Sequence, residues 1–224
     1  MSVMGGQWVV VGGAPLQLSA RIFTRIDVPG EYVDDTDHVT WSVDPAGIVS
    51  VDRTGLVTGV GSGSVRVTAT LGDRSAFTIM RAVPDYTGTW SGTYKVTACS
   101  GAADPRTCGR LMVGEGFQPI LYPFTLIVSQ LQDQVTGTLH EESVAFKQDT
   151  PLRGFVRVSG ELVLEGFVPL PEHLNFTITN WSSTFSQSDG KASGAFTRIA
   201  PTFSTFSTYV LRTEHEFSGV TRTP

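Results

Sequence analysis

Apolar and polar residues alternate along most of this chain, and the alternation breaks repeatedly at Gly, Pro, Asn and Asp. In "HVTWSVD", Val39, Trp41 and Val43 fall on one face of an extended segment; in "IVSVD", Ile48 or Val49 joins Val51, depending on register. "GSGSVRVTATLG" sends Val65, Val67 and Ala69 one way and Arg66, Thr68 and Thr70 the other. Period two marks a strand with one face on a core. Apolar stripes at helical spacing and charged i,i+4 faces are both missing, so the chain reads as all-β. Between strands, "RTG" before "LVTGV" supplies a turn in which Gly55 can take a positive φ.

The rhythm changes near Val83-Pro84-Asp85. Residues 1–83 carry short strands and read as a small β-sandwich. Residues 84–224 carry longer strands, about eight, enough to close a small antiparallel up-and-down barrel. "GTWSGTYKVTA" is the first, and "FTLIVSQ", "VTGTLHE", "GFVRVSG", "ELVLEGFV", "HLNFTITNWSS", "GKASGAFTRIA" and "STYVLRTEHEFSGVTRT" follow. A loop with two cysteines and the apolar connector "GFQPILYP" separate the first two. Gly88, Trp90, Gly92, Tyr94 and Val96 share one face of the first strand, so Trp90 points inward with glycines leaving room beside it. Matching inward positions are Phe124, Leu126, Val128, Leu139, Val156, Leu162, Leu164, Phe176, Ile178, Phe196, Tyr209 and Leu211. The expected wall is apolar and aromatic, with Thr, Ser, Lys and Glu outside.

Composition narrows the function classes. A net charge of -5 argues against nucleic acid, whose phosphates require clustered Lys and Arg. No apolar run reaches the roughly 20 residues of a membrane helix. No signal peptide opens the sequence, and "MSVMGGQ" reads as a start placed on a mature or truncated chain. Cys99 and Cys108 are the only cysteines. Their spacing in a Gly/Ala/Pro-rich segment predicts a disulfide and therefore an exported protein, periplasmic, cell-surface or secreted. Two free thiols in a cytosolic protein are the alternative.

Candidate chemistry is sparse. His38, His140, His173 and His215 are scattered, without metal-ligand spacing, so no metal and no cofactor is expected. "GVGSGS" leads into a strand and lacks the Lys-Ser/Thr of a phosphate loop. Asp34, Asp35 and Asp37 lack the Gly turn and closing Glu of a calcium loop and read as a solvated acidic loop. The pairs Glu141/Glu142 and Glu214/Glu216 read as solvated strand edges or hairpin ends, and no nucleophile elbow is present. The expectation is a protein without catalytic residues.

Two resemblances add to this. "HVTWS", "IVSVD", "GLVTGVGSGSVRVTA" and the earlier "LQLSA" resemble the bacterial immunoglobulin-like domains of group 2, over about the first 83 residues. That resemblance implies an extracellular spacer or adhesin module, here in one copy with a long "RIDVPGEYVDDTD" before the Trp strand. "GTW", Gly88 to Trp90, looks like the head of a lipocalin-type barrel, and residues 86–224 resemble lipocalin-like barrels of bacterial envelope proteins. It implies that a late arginine packs across the indole, with Arg222 the first candidate and Arg212 the second. The combined expectation is an immunoglobulin-like spacer presenting a barrel to a protein partner in the bacterial envelope. The alternative is a carrier of a small apolar ligand, held by Trp90, Tyr94, Phe124, Leu126, Leu139, Leu164, Phe176, Ile178, Phe196, Tyr209 and Leu211.

Overall fold

A computed structural model describes all of the chain except residues 24–30, 103, 143–146, 170–174, 187–189, 204–207 and 224. The side chains at 105, 169, 175–176, 185–186, 201–203 and 208 also lie outside the description. The chain divides into two compact units, one built on Met1–Asp85 and one on Tyr86–Val156 with Glu161–Pro224.

The first unit is an immunoglobulin-like sandwich of ten short strands: β1 Ser2–Met4, β2 Trp8–Val10, β3 Leu16–Gln17, β4 Ser19–Phe23, β5 Tyr32–Asp34, β6 Thr40–Asp44, β7 Val49–Val51, β8 Leu56–Gly59, β9 Gly63–Leu71 and β10 Arg74–Val83. One sheet runs β2-β10-β9-β6; two three-stranded sheets run β3-β8-β7 and β1-β4-β5. Alternation decides the core. Val65, Val67 and Ala69 of β9 are buried; Val9, Leu18, Val49, Val57 and Met80 cluster with Val65 and Val67, and Ala20 and Val39 with Ala69. Trp41 and Val43 pack against the larger cluster, as their shared face predicts. Gly55 has φ +79°, and a Cβ there would lie 2.6 Å from the Leu18 carbonyl oxygen, so the turn before β8 requires glycine. The acidic loop is occupied locally: Asp34 accepts from the Thr36 backbone N–H at 3.1 Å, and Asp35 meets His38 Nδ1 at 2.6 Å.

The second unit is a closed barrel of eight strands in sequence order. They are β11 Gly88–Ser100, β12 Tyr122–Leu131, β13 Gln134–Glu142, β14 Lys147–Val156, β15 Glu161–Pro169, β16 Asn175–Ser186, β17 Lys191–Phe203 and β18 Thr208–Thr223. Every neighbouring pair is antiparallel, and β18 closes on β11 with Trp90 opposite Arg222 and Cys99 opposite Thr213. Closure pairs the two outer strands of the sheet along Thr89–Ser100 and Arg212–Thr223.

One expectation needs correction: the cysteine loop is partly helical. Helix α1 spans Pro105–Met112, and a 3-10 turn follows at Glu115–Phe117. Asp104 caps α1 by accepting from the Arg106 backbone N–H at 2.9 Å, and proline sits at the start. Asp-Pro is a helix-start signal, masked here by surrounding glycines and by a length too short to show periodicity. Cys99 of β11 and Cys108 of α1 form the predicted disulfide.

Candidate functional site

The barrel interior is built in layers. At the Trp90 end, the indole Nε1–H donates to the Tyr86 carbonyl at 2.8 Å, and the Arg222 guanidinium carbon lies 5.9 Å from the indole centre. Gly88 makes room for that arginine, because a Cβ there would come within 2.9 Å of Arg222 Nε. Thus the Gly and the Trp of "GTW" both serve the Arg222 contact.

The middle layer is aromatic. Trp181 stacks on Phe196 with centres 4.9 Å apart, and Phe196 stacks on His215 at 4.4 Å. Phe217 contacts both Phe124 at 5.5 Å and Trp181 at 5.1 Å. Between these rings and Trp90, Leu126, Leu162 and Val220 there is a void of about 10 Å³. Such a space is at the limit of holding one water and admits no apolar ligand.

Toward the Cys99 end the interior turns polar. Glu141 of β13, 1% exposed, forms an ion pair with Arg198 of β17, itself 12% exposed. Arg198 Nη1 donates to the Tyr94 hydroxyl at 3.3 Å. The Tyr94 ring stacks on Tyr122 at 5.3 Å and meets His215 edge-on at 4.9 Å. His215 Nε2 shares a 2.7 Å hydrogen bond with the Thr213 hydroxyl. Tyr122 donates to the Leu111 carbonyl of α1 at 3.0 Å, so the disulfide-tethered helix adjoins this end.

Burial sets the protonation states. Desolvation, then the neighbouring Arg198 charge, pushes His215 down to about 3, so it is neutral in ordinary conditions. Desolvation also raises Tyr94 well above the usual tyrosine range, despite the opposing Arg198 charge. Burial works against the Arg198 charge, yet the Glu141 carboxylate outweighs it and keeps the guanidinium charged. The cluster therefore holds one negative and one positive charge.

Of the residues predicted to line the barrel, Trp90, Tyr94, Phe124, Leu126, Leu139, Leu164, Ile178 and Phe196 are buried together. Leu211 is half-buried, and the side chain of Phe176 lies outside the described residues. Tyr209 is a correction: it is 39% exposed. It keeps the inward phase, but β18 there extends past its last pair with β11, Ser100 to Arg212, so no strand covers it on that side. Glu141 is the second correction, a buried ion-pair partner where a solvated edge was expected; Glu142 beside it is exposed and pairs with Lys147 at 3.3 Å.

Sequence reasoning also missed Trp181, Arg198, His215 and Thr150. Three of these were legible in the alternation, since Arg198 is in phase with Phe196, His215 with Leu211, and Thr150 with Val156. Trp181 was not. Asn180 takes φ +53° at a register shift between Thr179 and Ser182, and this bulge turns Trp181 onto the same side as Ile178.

Against known families, the first unit is the informative one. Residues 2–79 match the family model of the bacterial Ig-like domain (group 2). This Ig-like module points to a bacterial surface or envelope protein. No curated protein matches the chain. Among the described residues no helix is long and apolar enough to cross a membrane, and no group of three or more potential metal ligands occurs.

Proposed function

We propose that this is a non-enzymatic, exported protein of the bacterial surface or envelope, in which the Ig-like module acts as a spacer and the barrel is presented to a protein partner. One observation carries the partner reading. Phe117 is 92% exposed and sits at φ +59°, a conformation that bulky residues rarely adopt. A bridge between Val113 and Pro119 closes the tip, reinforced by the Gly114 N–H to Gln118 carbonyl bond at 2.9 Å. Leu121 and Val113 beside it are exposed too. A constrained segment that holds an aromatic ring in water is suited to filling a pocket on another molecule.

Export is supported by the Cys99–Cys108 disulfide in a chain with an Ig-like module. The non-enzymatic reading is supported by the interior cluster, whose Tyr94 and His215 are shifted away from neutral pH in opposite directions, unlike a working acid or base. The contact of Arg222 with Trp90 supports a lipocalin-like barrel.

The test is a photo-crosslinking residue at position 117 in the native host, with an exposed polar control at Lys147. One discrete adduct at 117, lost on Leu121→Ser, is the expected result. Equal labelling at both positions would refute the partner reading. An impermeant thiol label that fails to reach surface-introduced cysteines on intact or outer-membrane-permeabilised cells would refute export.

A further inference from the structure

The outer wall of the barrel is grooved where β14, β15 and β16 run side by side. One groove of about 510 Å³ is lined by Pro151 and Phe167, and a second of about 660 Å³ by Phe155 and Val163. Arg153, Glu165 and Thr179 line both. The outside of a closed barrel is convex unless a strand bends, and the bulge at Asn180, in the wall of the second groove, supplies the bend. Phe155 and Phe167 are exposed there. Arg153 and Glu165 are paired at 3.0 Å, but their side chains are 81% and 62% exposed, so the bridge is weak and its groups can take other partners.

The Phe117 segment is the complement of this surface. It carries the exposed Glu115 between two exposed apolar residues, Val113 and Phe117. Along β14 the grooves carry Arg153 between Pro151 and Phe155. Arg106 and Arg110, both exposed and four positions apart on α1, share one helix face and are available to Glu165. Among the described residues, Arg106, Arg110 and Glu115 form no ion pair of their own. Apolar groups and both signs of charge therefore find counterparts.

We infer that the partner is a second copy of this chain, with the Phe117 ring of one copy in the β14–β16 grooves of the next and Glu115 on Arg153. The inference rests on the partner reading and names the partner. In the ring of eight strands, β15 stands four places from β11, on the opposite wall. The Phe117 segment joins β11 to β12, so each copy carries its tip on one side and its groove on the other. Such a contact is heterologous and adds copies head to tail, as a ring or a filament. A tip in a groove is a small interface, so its affinity lies at the weak end.

Sedimentation of the purified full chain from about 10 µM to about 1 mM, the range for weak contacts, should show association that grows past the dimer. Phe117→Ser at the tip and Arg153→Glu in the groove, both at exposed positions, should each weaken it at least about tenfold. Mixed together, these two variants should form a one-to-one complex that grows no further, because one keeps only its groove and the other only its tip. Glu115→Arg and Arg153→Glu combined in one chain should restore assembly. A monomer throughout the range, a mixture that stays monomeric, or a charge swap that restores nothing overturns the inference. In the native host, the crosslinked adduct at position 117 should have twice the mass of the chain. A discrete adduct with a different protein overturns the second copy as partner but keeps the partner reading; no discrete adduct overturns both.

Discussion

The two units solve the same problem with different interiors. The core of the Ig-like module is aliphatic, made of Val9, Leu18, Val49, Val57, Val65, Val67, Met80 and Ala82. Among the described residues, every fully buried polar or charged side chain belongs to the barrel: Glu141, Thr150, Ser183, Thr197, Thr213 and His215. A sandwich brings two sheet faces to about 10 Å, a gap that branched aliphatic chains fill without polar atoms. An eight-stranded barrel encloses a wider space, which needs large side chains or a ligand. Here rings fill one part, and an ion pair with its neighbours occupies the other.

The largest test of that contrast is Arg198→Leu. Stranding the Glu141 carboxylate should destabilise the barrel by about 3–5 kcal/mol, read as urea unfolding through barrel NMR signals, with the Ig-like module unchanged. Adding Glu141→Leu should restore most of that loss, because the interior then becomes apolar like the first core. A double variant as unstable as the single one would show that the pair itself holds the barrel together. In the Ig-like module, Leu18→Ala should cost about 3 kcal/mol by leaving a cavity, within the usual 2–5, and should leave barrel signals unmoved.

Replacing Cys99 and Cys108 together by serine should cost about 2–3 kcal/mol, the value for a short closed loop, and should act on the barrel alone. The smallest effect per step is in pH. His215 titrates near 3 in the folded barrel and near 6.5 when unfolded, so the unfolded chain takes up the proton first. Its contribution is complete above pH 6.5 and declines as pH falls toward 3, by about 1.4 kcal/mol per unit. Between pH 6.5 and 5, above the main carboxylate range, His215→Phe should flatten that slope. An unchanged slope would mean that His215 is open to solvent.

Much of this was legible in the sequence. Val65, Val67 and Ala69 could be placed in a core from alternation alone, and Trp90, Phe124, Leu126 and Phe196 likewise in the barrel. The same alternation carried Glu141, Arg198 and His215 inside, but residue type argued the other way: a charged side chain is nearly always at the surface unless it is paired. Glu141 and Arg198 are 57 positions apart, so their pairing had no local signal. The bulge at Asn180 hid Trp181 by shifting the phase of β16 in mid-strand.

By itself, the sequence determined two β-units, the phases of most strands and the glycine at the turn before β8, and it favoured the bond between Cys99 and Cys108, because each follows from local geometry or from near neighbours. The tertiary structure alone decided that a carboxylate and a guanidinium meet inside the barrel, that the aromatic layer leaves almost no void, and that Phe117 stands out in water. Those outcomes depend on barrel closure, which sets distant strands side by side and fixes how much room their side chains must share.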